Sequence, residues 1–157
     1  MDSKKIAFRI AGAVILVTVW LYWWLQPERQ LRRAQGRLIA AVEKRDFDAM
    51  ARLLAEDYRD RWGHDKAIVV GESRQVFSQF LMLTIERESR SVEMGTQSSI
   101  VREKLTIEGF GGPLAVAAKD AVNALREPFS LSWRRRSWKP WDWELLSVEQ
   151  PELRLPE

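Results

Sequence analysis

The chain holds one histidine, His64, and it stands among acids: Asp57, Asp60 and Asp65 lie within seven residues of it. An imidazole titrates near neutral pH, so beside a carboxylate it can serve as a general acid or base. Tyr58 and Trp62 share the same stretch and offer a phenol and an indole N–H. The run DRWGHDK is also what a hydrophilic loop ahead of a helix contains, since loops ordinarily carry such residues. One histidine with scattered carboxylates matches no known ligand spacing, so no metal site is expected. The absence of cysteine excludes disulfides, thiolate metal sites and cysteine nucleophiles. Gly109 to Gly112 is too short for a phosphate loop and lacks a following Lys–Ser/Thr pair. No serine-nucleophile motif or internal repeat is present. No cofactor is expected and no residue is assigned as catalytic.

The most unusual stretch interleaves tryptophan with cations: Trp133, Arg134, Arg135, Arg136, Trp138, Lys139, Trp141 and Trp143. Such a mixture suits stacking on nucleic-acid bases or lodging at a membrane surface. The simpler reading is packing. On alternating strands Phe129, Leu131 and Trp133 share one side, and Trp141, Trp143 and Leu145 share another. These trios would meet across a hairpin turning at Lys139 and Pro140, with Arg134 and Arg136 opposite Asp142 and Glu144.

The elements that must position these groups follow from periodicity. Gln30 to Lys44 has a helical stripe of Leu31, Leu38 and Val42. Asp46 is a natural N-cap for a second helix carrying Met50, Leu53, Leu54 and Tyr58, and Gly63 breaks that pattern. Asp65 caps a third, running to about Leu81. The period then shortens to two: strands are predicted over Leu83–Val92, Ser99–Glu108, Phe129–Arg136 and Trp141–Glu149. A short helix over Leu114–Leu125 follows Pro113. Helices first and antiparallel strands after is an α+β order.

Ahead of all this lies an uncharged stretch, Ile10 to Leu25, which reaches twenty residues if extended back to Ile6. That is enough to approach a hydrocarbon core of about 30 Å. Trp20, Tyr22, Trp23 and Trp24 crowd its end as an interfacial belt would, and Pro27 closes it. No small-residue cleavage site follows, which argues against a removed signal peptide. The reading is a membrane anchor over residues 1–27, a polar stalk over 28–37 and an α+β domain over 38–157. The bilayer is the expected partner of residues 6–25. Basic residues flank both ends, Lys4, Lys5 and Arg9 before and Arg29, Arg32, Arg33 and Arg37 after. A short N-terminus before a first apolar segment resembles an uncleaved signal anchor, which puts the domain on the extracytoplasmic side. Past residue 25 the chain has 22 basic and 21 acidic side chains, too even for a nucleic-acid binder, and none is expected as partner.

The run Leu38–Tyr58, LIAAVEKRDFDAMARLLAEDY, resembles the opening of the nuclear transport factor 2-like superfamily. There a helix, an acidic turn and a second helix precede a loop. Phe129–Leu153 looks like its closing hairpin, so the resemblance covers about residues 31–153. It implies a cone: a curved antiparallel sheet wrapped around helices, often with a pocket in its mouth, and sheets that commonly pair into homodimers. A cone of this kind would gather Tyr58, Asp60, Trp62, His64 and Trp133 as its candidate pocket. The family's steroid isomerases pair an acidic base with Tyr and acid donors; Tyr58 and Asp60 match no such motif. The expected function is a membrane-tethered, non-enzymatic binding or assembly module. The alternative is an isomerase or dehydratase using His64 and a nearby acid. Fold alone does not choose between them.

Overall fold

The computed structural model describes residues 3–153, the side chains of residues 3–8 and 89 excepted. The flank charges Lys4 and Lys5 and the last four residues of the expected domain therefore lie outside the described part.

Among the described residues five helices and four strands follow one another: α1 (Ser3–Trp24), α2 (Pro27–Glu43), α3 (Phe47–Leu53), α4 (Lys66–Phe77), β1 (Phe80–Glu93), β2 (Ser99–Gly111), α5 (Pro113–Asn123), β3 (Phe129–Arg135) and β4 (Trp143–Glu149). The strands form one antiparallel sheet in the order β1-β2-β3-β4. Register shifts fall between Phe80 and Met82, between Ser89 and Ser91, and between Ser132 and Trp133. An extra residue in one strand bends it and sharpens the twist, which is how a flat ladder becomes a wrapped one. The first shift needs a glycine opposite: Gly109 has φ +142°, and a Cβ there would lie 2.1 Å from the Met82 carbonyl oxygen.

α2 fills the sheet's inner side. Leu31, Ala34, Leu38, Ile39 and Val42 are buried against Val101, Ile107, Leu131, Trp133, Trp143 and Leu145. Pro27 starts this helix where its missing N–H costs nothing. It stops at a Schellman turn: Arg45 N–H donates to Val42 and Asp46 N–H to Ala41. Arg45 takes the left-handed conformation that glycine usually supplies, at φ 57°, and its guanidinium donates to the Phe80 carbonyl. Asp46 and Asp65 cap α3 and α4 through Ala49 N–H and Ile68 N–H.

Several sequence expectations are revised. Residues 28–37 are not a polar stalk but the first half of a core helix, with Gln30, Leu31, Ala34 and Gln35 buried. α3 ends at Leu53, because residues 54–61 leave the helix to run beside β4. There Ala55, Arg59 and Arg61 N–H donate to Leu145, Leu146 and Val148 carbonyls and cover that edge. Trp133 and Trp143 are core residues, 0% and 4% exposed, as the alternation predicts. Trp141 is not: it is 45% exposed and lies outside β4, in a connection from Arg136 to Asp142 that is longer than a two-residue turn. The predicted cross-strand charges do meet, Arg134 to Glu144 at 2.9 Å and Arg136 to Glu144 at 3.0 Å.

Candidate functional site

Four of the five candidate pocket residues belong to one self-closed loop. Asp60 is 8% exposed, and its Oδ1 accepts from the backbone N–H of both Trp62 and His64, at 2.9 and 2.8 Å. Asp60 N–H returns to the His64 carbonyl, and Arg59 bridges to Asp65 across the neck. The His64 ring brings Nδ1 to 3.2 Å from Asp60 Oδ2 and 3.5 Å from Glu72, without the alignment of a hydrogen bond. Trp62 Nε1 donates to the Leu153 carbonyl, pinning the C-terminal segment. Burial, and then the Asp60 charge, push the Tyr58 phenol well above its ordinary pKa. It therefore stays protonated at physiological pH and is no ready base. An acid–imidazole pair does exist here. One oxygen of its carboxylate, however, is committed to holding the loop, and two clefts among the described residues, of about 590 and 430 Å³, are lined by other residues.

Trp133, the fifth candidate, faces a different set of partners, which the sequence reading missed. Its Nε1 donates to Gln35 Oε1 at 3.1 Å, and Gln35 Nε2 donates to Glu103 Oε2 at 3.1 Å. Arg87 then closes on Glu103 as a fork, Nε to Oε2 at 3.1 Å and Nη2 to Oε1 at 2.6 Å. Gln35, Glu103 and Trp133 are at most 1% exposed, so this chain of donors and acceptors runs through the centre of the wrapped sheet. Each polar end is answered, as burial requires. Gly36 leaves the space for Arg87: a Cβ there would sit 3.3 Å from Nη1. The one available signal was Glu103 itself, an acid on the apolar side of an alternating strand. The carboxylate and the indole N–H at the centre are both paired, and Arg87, 29% exposed, closes the outer end of the network.

A second cluster staples the outside. Arg134 donates to both oxygens of Asp57, at 3.0 and 2.8 Å, and to Glu144 at 2.5 Å, while Arg136 reaches the Arg52 carbonyl. The Arg134 hydrogen bonds hold the Asp57 carboxyl below its usual range, and Asp57 and Glu144 raise the guanidinium in turn. The larger cleft opens beside this cluster, between residues 94–97 and Arg134, Arg135 and Trp143. Among the described residues no group of three or more His, Cys, Asp or Glu could hold a metal ion.

The third cluster is an elbow between α1 and α2. Arg29 lies over the Trp23 ring at 3.3 Å and Arg33 over Trp24 at 4.4 Å. Gln30 Nε2 donates to the Trp24 carbonyl at 2.7 Å, and Trp20 stacks on Trp24. The described side chains of α1 as far as Trp23 are exposed, Leu16 at 72% and Val14 at 58% among them. No single helix among the described residues is long and apolar enough to cross a membrane. The pair Arg9–Trp24 and Pro27–Glu43, bent by 58°, passes only when taken together.

No protein-family model matches the sequence, and no curated protein matches it. Solved structures do match in shape. Bd1075 of Bdellovibrio bacteriovorus superposes with a TM-score of 0.60 at 8% identity over 82% of this chain, which spans 41% of that protein. A conserved protein from Planctomyces limnophilus gives 0.58 at 18% identity, covering 77% of this chain and 91% of its own. A protein described as a candidate dehydratase of the nuclear transport factor 2-like family, from Streptomyces avermitilis, gives 0.57 at 14%, covering 78% and 93%. The chain thus has the nuclear transport factor 2-like fold, α+β with helices packed against an antiparallel sheet. At such identities the likeness concerns fold alone.

Proposed function

We propose that this chain is a membrane-tethered, non-enzymatic binding or assembly module built on the nuclear transport factor 2-like fold. The observation that carries the reading is the filled cone. Where an enzyme of this shape needs a cavity lined by unpaired acids and bases, Trp133, Gln35, Glu103 and Arg87 bond to one another. The only imidazole, His64, sits in a loop where Asp60 Oδ1 accepts from two backbone N–H groups and Oδ2 faces the ring without a hydrogen bond to it.

The tether rests on α1. Apolar side chains exposed along its described length have no protein surface to cover, and each would gain by leaving water. Its stretch from Ile6 to Trp24, which includes Arg9, spans about 28 Å and approaches a hydrocarbon core. Tryptophans end it, and the arginines that follow cover two of them in the manner of an interfacial belt. The extracytoplasmic side is the proposed location of the domain.

The test is made on cell membranes carrying the full chain. It should remain in the pellet through alkaline carbonate, and external protease should degrade the domain only when it faces outward. Cross-linking in those membranes should then recover a stoichiometric protein partner or a second copy. Release by carbonate would end the tether. A small molecule that co-purifies and protects the sheet interior, with turnover lost in His64→Ala, would replace the module by the dehydratase-type alternative.

A further inference from the structure

Trp138 is the most exposed large hydrophobic side chain among the described residues, at 84%, and Trp141 beside it is 45% exposed. Both lie in the connection between β3 and β4, which no packing requirement of the core explains. Its position relative to α1 can be worked out from contacts.

α2 runs along the sheet in a fixed register. Near its end Glu43 accepts from Ile85 N–H, and Ile85 pairs with Ile107; eight residues earlier Gln35 meets Glu103. Eight helical residues rise about 12 Å and four strand residues about 13 Å, so helix and strand advance together. A further eight residues back is Pro27, which brings the start of α2 level with Ser99, four residues before Glu103. Ser99 pairs with Trp133. The end of β3 beyond Trp133 is therefore directed toward the α1–α2 elbow. The chain then turns back: Arg37, about 15 Å up α2 from Pro27, donates to the Trp141 carbonyl at 3.2 Å, which sets Trp141 within an arginine's reach of mid-α2.

The bend converts this into a height. With α2 inclined 58° to α1, each α2 residue rises about 0.8 Å along the α1 axis, and Arg37 stands about 8 Å above Pro27. The headgroup layer on each side of a bilayer is about 5–7 Å deep. An arginine or tryptophan side chain spans the difference.

The acids at this end, Glu28 and Asp142, are held by Arg32 and by Ser137 and Arg136, and the cations outnumber them. Arg33, Arg37, Arg135 and Lys139 have no carboxylate partner among the described residues; Arg33 and Arg135 lie over Trp24 and Trp143 instead. Exposed tryptophans beside uncompensated cations are the chemistry of an anionic lipid surface: the indole settles at headgroup depth and the cations meet phosphates. We infer that the β3–β4 turn is a second membrane contact, with Trp138 and Trp141 seated in the headgroup layer of a bilayer containing anionic lipid. The contact would hold the domain at a set tilt instead of leaving it free on one helix.

This inference rests on α1 being the tether, so the experiment reads both. The native chain lacks cysteine, so a single introduced thiol labels one site. Full-length Lys139→Cys, Val14→Cys and Ala117→Cys proteins carry an environment-sensitive fluorophore in vesicles of phosphatidylcholine with phosphatidylserine. Ala117 is exposed on α5, at the opposite end of β2 from the 94–98 turn. The Lys139 probe should be quenched by lipid spin-labelled at the headgroup, the Val14 probe by lipid labelled in the acyl chain, and the Ala117 probe by neither. Replacing Trp138 and Trp141 by serine, or omitting phosphatidylserine, should lower quenching at 139 and leave Val14 unchanged. If the Val14 probe is buried in lipid while the Lys139 probe is as water-exposed as that at 117, the turn is no membrane contact and the tether stands. If the Val14 probe is itself in water, both readings fail.

Discussion

Arg87→Met should leave Glu103 as a buried carboxylate facing a single donor, Gln35 Nε2. In the folded chain Glu103 is 1% exposed and takes two of its three hydrogen bonds from Arg87. Removing one member of a buried pair costs about 3–5 kcal/mol, because the charge left behind has lost its compensation. The Arg87 side chain is 29% exposed, so water can enter part of the vacated space, and about 3 kcal/mol is expected. For a domain of this length that lowers the melting temperature by about 6–12 °C. Adding Glu103→Gln removes the orphaned charge and keeps an amide oxygen for Gln35, so the double variant should regain about 2 kcal/mol. Urea unfolding of the full chain in micelles, followed by near-ultraviolet circular dichroism of the tryptophans, measures all three proteins. A single variant within about 0.5 kcal/mol of the parent would refute the reasoning. So would a double variant no more stable than the single one: the interior would then not depend on this pair.

The loop around His64 separates side chain from backbone duty. His64→Ala should change stability by less than about 0.5 kcal/mol in the same unfolding assay, since its Nδ1 makes no hydrogen bond. Asp60→Ala removes the acceptor of two backbone N–H groups and should cost about 1–3 kcal/mol. At low pH the Asp57–Arg134 staple should fail. The carboxyl is held below its usual 3.8, so its contribution is present above that value and disappears as pH falls through the lower folded one. Acid titration of Asp57→Asn should show a shallower loss of stability below pH 3.8 than the parent.

Periodicity made the element order readable, because alternation over Ser99–Glu108 and Phe129–Arg136 and the caps at Asp46 and Asp65 are local signals. What lay beyond reach was set by tertiary contact. The α3 pattern continued through Leu54 and Tyr58, yet Leu145, Leu146 and Val148 carbonyls drew that segment out along β4. The residues 28–37 looked polar because Glu28, four arginines and two glutamines outnumber Leu31 and Ala34, and the burial of the glutamines depends on tertiary partners, the Trp24 carbonyl for Gln30 and Glu103 with Trp133 for Gln35. The candidate pocket was assembled from chemically capable residues near in sequence; the interior network joins positions 35, 87, 103 and 133. Only Glu103, on the wrong side of its own alternation, hinted at it.

The backbone of residues 54–61 along β4 limits how copies of this chain could join. A sheet propagates into a fibre only when both borders can accept another strand. Here one border is sealed by the chain's own amides. The other, β1, is engaged by Arg45 and Glu43 at Phe80 and Ile85, and beyond Ile85 it carries Glu86, Glu88 and Arg90. Edge-to-edge growth through both borders of the sheet is thereby disfavoured, because the border along β4 already has the chain's own backbone beside it.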